Sequence, residues 1–295
     1  MTTPTTTDAV VSVGWLVDRL DDARRDDPSL RILEVDIDPS NYDAGHIPGA
    51  SKVDWKTDLQ DSTTFDVPTE AAFEDLLGGF GITPESTVVV YGDMRNWFAA
   101  HAYWLFTYYG HEDVRLLDGG RDFWKERDAP LTDDVPDFTP QSYTVADRRR
   151  DIRADQPDVM ASLDRETTLV DVRTPEEYRG EILAPPGWNE GVQRGGHIPG
   201  ARNIPWNQVV EETGCFKPEN KLREIYGEHG IDEEEAVITY CRIGERSALT
   251  WFVLHELLGY GDVRNYYGSW VEWGNTVGAP IEKGQRASIK RESNR

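Results

Sequence analysis

Ala236-Val237-Ile238-Thr239-Tyr240-Cys241-Arg242-Ile243-Gly244-Glu245-Arg246-Ser247 is the stretch that decides how this chain folds. Its first five residues are apolar or β-favouring and read as a short, fully buried strand. The run stops at a thiol and a glycine loop, and a helical pattern follows over 247–258. Ala248, Trp251, Phe252, Leu254, Leu257 and Leu258 cover most of that helix's circumference, which suits a buried helix. Alternating strands and helices argue for a mainly parallel sheet, and such sheets bind ligands at the carboxyl ends of their strands. Cys241 falls at such an end. The loop N–H groups and the helix dipole can converge on its sulfur. A free thiol titrates near ~8.5, and these surroundings, with Arg242 and Arg246 beside them, favour the thiolate. The competing reading is a buried structural cysteine.

Working outward, the chain repeats itself. Gly45-His46-Ile47-Pro48-Gly49-Ala50 recurs as Gly196-His197-Ile198-Pro199-Gly200-Ala201. A strand with an acidic end precedes each copy: Ile32-Leu33-Glu34-Val35-Asp36 and Thr168-Leu169-Val170-Asp171. An apolar strand follows, Thr87-Val88-Val89-Val90-Tyr91 in the first copy, then a helix over 97–109 or 247–258. A last strand shares a signature, Asp113-Val114-Arg115-Leu116-Leu117 and Asp262-Val263-Arg264-Asn265-Tyr266. From Tyr91 and Tyr240 to Gly119 and Gly268 the offset between copies stays at 149 residues. At that offset Gly92 stands opposite Cys241 and Asp93 opposite Arg242, so the first loop has no thiol. Between the copies, about 127–157, Pro, Asp and Arg abound without helical periodicity, and an extended connector is expected.

Composition narrows the function. The net charge is −23, from 54 acidic against 31 basic residues. Such a surface repels nucleic acid and anionic lipid, so neither is an expected partner. It also repels itself, which predicts stabilisation by salt and suits a salty cytoplasm. No run of 18 apolar residues occurs, so no membrane span is expected. The start, Met1-Thr2-Thr3-Pro4, lacks the basic end and apolar block of a secretory signal; a cytoplasmic protein is the expectation. The two cysteines, Cys215 and Cys241, make neither a disulfide framework nor a zinc site. Cys215 either resolves an oxidised Cys241 or is a spare, semi-buried thiol.

With these residues in view, the chain resembles the rhodanese family in its tandem two-domain form. The resemblance is carried by the paired Gly-His-Ile-Pro-Gly-Ala motifs, by Asp171-Val172-Arg173-Thr174-Pro175-Glu176-Glu177-Tyr178, by the loop 241–247 and by Gly268-Ser269-Trp270-Val271-Glu272-Trp273. It implies an α/β fold of two rhodanese-like domains, each a mainly parallel sheet covered by helices on both faces. The expected boundaries are 9–130 for an inactive domain, 131–155 for a connector and 156–285 for a catalytic one. Flexible tails are expected at 1–8 and 286–295. The implied chemistry moves sulfane sulfur from thiosulfate to cyanide or a thiol through a persulfide on Cys241. No cofactor and no metal is required. The partners are a small-molecule sulfur donor and acceptor, and the two copies can satisfy each other's interface as a monomer. A mercaptopyruvate donor, or a persulfide carrier fed by a protein, stands as the alternative.

Arg242, Arg246, Arg173 and Arg179 are the candidate donor-binding residues, because Arg grips a tetrahedral oxyanion with parallel N–H bonds. Arg173 and Arg179 could equally form ion pairs with Asp171 and Glu181. Ile243, Gly244, Glu245 and Ser247 complete the active loop. The resemblance to thiosulfate-using members is imperfect: Ile243 stands where a basic residue is usual, and Glu177 aligns with an arginine of that pattern. His46 and His197 recur in both copies, one of which has no nucleophile, so they are expected to bind local backbone. A cysteine phosphatase needs Cys-x5-Arg; Cys241 and Arg246 are one residue too close.

Overall fold

The computed structural model describes residues 8–165, 167–188 and 191–284. Apart from Asp8, the tails expected to be flexible lie outside these residues. Ten strands follow in chain order: β1 (Val10–Val11), β2 (Leu30–Asp36), β3 (Ala50–Asp54), β4 (Thr87–Tyr91), β5 (Val114–Leu117), β6 (Arg153–Ala154), β7 (Thr168–Asp171), β8 (Arg202–Asn203), β9 (Val237–Tyr240) and β10 (Val263–Tyr266). They form two five-stranded sheets, ordered β1-β5-β4-β2-β3 and β6-β10-β9-β7-β8. Every pairing between neighbours is parallel. The second order is the first moved on by five strands, so the sequence repeat is a repeat of topology. β2, β7 and β9 are buried along their whole length, as parallel strands covered on both faces must be.

The four edge strands β1, β3, β6 and β8 were not read from the sequence. β1, β6 and β8 have two residues each, too few for any periodicity to show, and β3, Ala50-Ser51-Lys52-Val53-Asp54, is too polar to stand out. β1 and β6 edge their sheets through Val10↔Leu116 and Asn265↔Arg153. β6 therefore lies inside the stretch expected as a connector.

Two helices matter most, α1 (Trp97–Tyr108) and α2 (Glu245–Phe252). They meet between the sheets, and nearly every residue of both is buried. Tyr103 meets Phe252 edge-on at 4.7 Å, Trp97 meets Trp206 at 5.1 Å, and Trp104 stacks on Tyr267 at 5.8 Å. Such aromatic pairs contribute roughly 0.5–1.5 kcal/mol each beyond area burial. One apolar core consequently runs from Leu33 and Val90 in the first half to Val237 and Trp251 in the second.

α2 begins two residues before the expected start, and it passes into a π-helical turn at Val253–Leu257. The early start follows from Gly244, whose φ of +99° makes the turn into the helix. Glu245 and Arg246 thereby sit in the first helical turn rather than in the loop. Among the described residues, no helix is long and apolar enough to cross a membrane.

Candidate active site

Cys241 is the first residue past β9, the middle strand of its sheet. Its neighbours fix it through the backbone. Its N–H donates to Ser269 Oγ at 3.1 Å, and Ser269 Oγ donates to the Tyr266 carbonyl at 2.7 Å. Its carbonyl accepts from the Trp270 N–H at 3.2 Å. The Gly244 N–H points at Sγ, 3.2 Å away. Ser247 Oγ lies 3.0 Å from the Gly244 carbonyl and 2.6 Å from Asn265 Oδ1, while Asn265 Nδ2 donates to the same Gly244 carbonyl at 3.0 Å. A Cβ on Gly244 would lie 2.8 Å from the Tyr267 carbonyl oxygen. The loop is thus a rigid nest around one sulfur.

Asn265 and Ser269 escaped the sequence reading, yet a signal existed. At the constant offset they stand opposite Leu116 and Gly120. Polar residues replace apolar or small ones only in the copy that carries the thiol.

The arginines separate into two groups. Arg242 is buried at the loop, and its carbonyl accepts from the Val271 N–H at 2.9 Å. Arg246 places two N–H groups on Glu177, both at 3.0 Å, and both partners are buried. Hydrogen bonding and charge from Arg246 hold the Glu177 carboxyl below its usual range against the opposing effect of burial. Arg173 is given over to structure: it binds both oxygens of Asp171, donates to the Gly196 carbonyl at 2.8 Å and lies 4.3 Å over the Trp270 ring. Arg179 pairs with Glu181 at 2.7 and 2.8 Å. The structure therefore brings Arg242 and Arg246 to the thiol loop and hands Arg173 and Arg179 to neighbouring carboxylates.

A cleft of about 1160 Å³ opens between the halves. Ile37, Trp55 and Phe65 line it from the first half, and Trp188, Ile243 and Tyr267 from the second. Beside it, a cavity of about 30 Å³ is bounded by Trp97, Pro185, Trp188, Arg242 and Arg246. Pro185 and Trp188 belong to extra chain in the second copy, which takes 25 residues from Asp171 to Gly196 where the first takes nine from Asp36 to Gly45. Cys241 itself is 0% exposed, so a donor reaches Sγ only when side chains at this mouth move aside.

The corresponding place in the first half is filled. Gly92 donates its N–H to Asn96 Oδ1 at 3.0 Å. Asp93 reaches the Ile37 N–H at 2.9 Å and Asn41 Nδ2 at 3.1 Å. Burial, with hydrogen bonding to Glu34, pushes the Asp36 carboxyl up to about 8. His46 and His197 hold equivalent turns: each Nδ1 meets a Tyr carbonyl, at 3.0 and 2.8 Å, and each ring stacks on that Tyr. Cys215 is half-buried against the first half, where burial and the nearby Asp118 push its thiol up to about 11. That disfavours the thiolate a resolving cysteine needs.

A lone thiol on a short loop at the carboxyl end of a parallel strand marks out the α/β proteins built around a cysteine loop. Within that class the assignment is specific. The profile of the rhodanese-like domain matches residues 12–127 and again 155–276. The chain belongs to the rhodanese family, in tandem form, and is a sulfurtransferase. It is 55% identical over 277 residues to a Haloferax volcanii protein provisionally named thiosulfate sulfurtransferase, covering 94% of this chain and 97% of that one. It is 48% identical over 283 residues to the sulfur carrier protein TtuD of Thermus thermophilus, covering 94% and 98%. Among solved structures, EanB variants superpose with a TM-score of 0.83 at 25–26% identity, over 95% of this chain and 71% of theirs. One holds ergothioneine, and another carries a cysteine persulfide.

Proposed function

We propose that the chain moves sulfane sulfur from thiosulfate to a thiol or cyanide acceptor, with Cys241 as nucleophile. The observation that carries this is Sγ at the end of β9, below the first turn of α2, with the Gly244 N–H 3.2 Å away. The Cys241 thiolate attacks the outer sulfur of thiosulfate. The donor's S–S bond breaks, its electron pair leaves with sulfite, and Cys241 carries a persulfide anion. An acceptor thiolate or cyanide then attacks the terminal sulfur, and the pair returns to Cys241. This is covalent catalysis in two half-reactions, so ping-pong kinetics follow. The Gly244 N–H and the first turn of α2 are placed to stabilise the persulfide anion. Arg242 lines the small cavity beside the loop, where its charge favours an anionic donor.

A second reading, a persulfide carrier loaded by another protein, is favoured by the cleft, which far exceeds the bulk of thiosulfate, and by the name of the Thermus relative. The test runs thiosulfate and mercaptopyruvate side by side, with Cys241→Ser as blank. Thiocyanate forms faster from thiosulfate, and peptide masses after donor alone show one added sulfur on Cys241 and none on Cys215. No thiocyanate from either donor, with sulfur still acquired from a cysteine desulfurase, selects the carrier.

A further inference from the structure

Arg246 stands in the first turn of the helix that follows the thiol, on the wall of the small cavity that the loop residues Arg242 and Ile243 also line. A guanidinium there would attract an anionic donor, and a doubly charged one more than a singly charged one. Its two terminal nitrogens are taken, however, one by each oxygen of Glu177. Glu177 is fixed in turn: its N–H binds Thr174 Oγ1 at 3.2 Å, and its Oε2 accepts the Thr174 N–H at 3.1 Å. This capping box opens the helix Pro175–Arg179 and leaves the carboxylate no freedom to swing away. The parallel N–H pair that would otherwise grip an oxyanion is spent inside the protein.

Building on the sulfur-transfer reading above, we propose that Glu177 is a positioning residue that sets the charge selectivity of the site. By holding Arg246 in a neutral pair, it lowers the preference for dianionic donors over monoanionic ones. Thiosulfate and methanethiosulfonate are near-isosteres that differ by one negative charge, so the ratio of their KM values reads that selectivity. A purely structural role for Glu177 would alter kcat and both KM values together and leave the ratio in place.

In Glu177→Gln, which releases Arg246 but keeps the side chain's shape, the ratio of the thiosulfate KM to the methanethiosulfonate KM falls by about fivefold or more. Glu177→Asp, which keeps the charge, leaves it within about twofold. An unchanged ratio in a folded Glu177→Gln, or a rise, overturns the proposal. Should Glu177→Gln fail to fold, Glu177→Ser, which keeps Arg246 and removes the carboxylate while leaving room for water, is read in the same way: a ratio lowered by about fivefold or more supports the proposal, and a smaller fall, no change or a rise overturns it. The same selectivity is read without turnover from the protection of Cys241 against iodoacetamide by sulfate and by methanesulfonate. Absence of sulfur on Cys241 with either donor would sink the proposed reaction alone, and the protection ratio would still judge Glu177.

Discussion

A Cβ built on Gly92 would lie 2.1 Å from the carbonyl oxygen of Val35. The first loop therefore lacks more than a thiol, since the β2 backbone stands where a side chain would lie. Gly92→Cys is expected to destabilise the protein by about 1–3 kcal/mol, as overpacking does. In a Cys241→Ser background it should yield no thiocyanate. Melting curves and the cyanide assay check both, and activity at position 92 would show the first loop to be open after all. Glu177 shows what a residue-level reading could not reach. Its sequence position and charge were plain, but its partner lies 69 residues on. A buried pair depends on which two surfaces meet, and nothing local in a sequence encodes that. The two histidines were legible for the opposite reason: a residue repeated beside a loop with no thiol is expected to serve the turn, and each binds a Tyr carbonyl of its own turn.

At the scale of elements, the central strands declared themselves through apolar runs, whereas two-residue edge strands had no pattern to declare. α1 holds a feature no pattern could flag. His101 is fully buried between Trp104 and Tyr267, and neither ring nitrogen has a partner among the described residues. Burial pushes its pKa down to about 3, so the folded protein keeps this ring neutral. An unfolded chain protonates it below about pH 6.5. The stability tied to its neutral form is full above that value and drains away as pH falls from 6.5 towards 3. His101→Leu removes two unsatisfied polar atoms and is expected to stabilise by about 1–3 kcal/mol at neutral pH. Its advantage over the wild type should widen between pH 7.5 and 4.5. Thermal melts at the two pH values measure this; a variant that melts earlier at both would mean the imidazole has a partner worth keeping.

For the whole molecule, charge and packing pull in opposite directions. A net charge of −23 on a chain of 295 residues opposes compaction. The melting temperature should rise with potassium chloride, with most of the gain below about 1 M, where the Debye length has shrunk to about 3 Å. A flat profile would show that the acidic residues are already compensated by their neighbours. Duplication and alternation made the two-unit α/β plan readable from sequence, because both are periodic. That the two copies could cover each other was expected, but which helices form the seam was not readable, because the faces of α1 and α2 that meet are simply apolar, and an apolar face does not name its occupant.

That joint also bears on the half whose loop has no thiol. Were the leading half lost, the aromatic flank of α2 would lie bare to water, and the surviving half would seek cover in other molecules of its kind. The half without a thiol is held to its shape along the seam, where the fold of the other half begins.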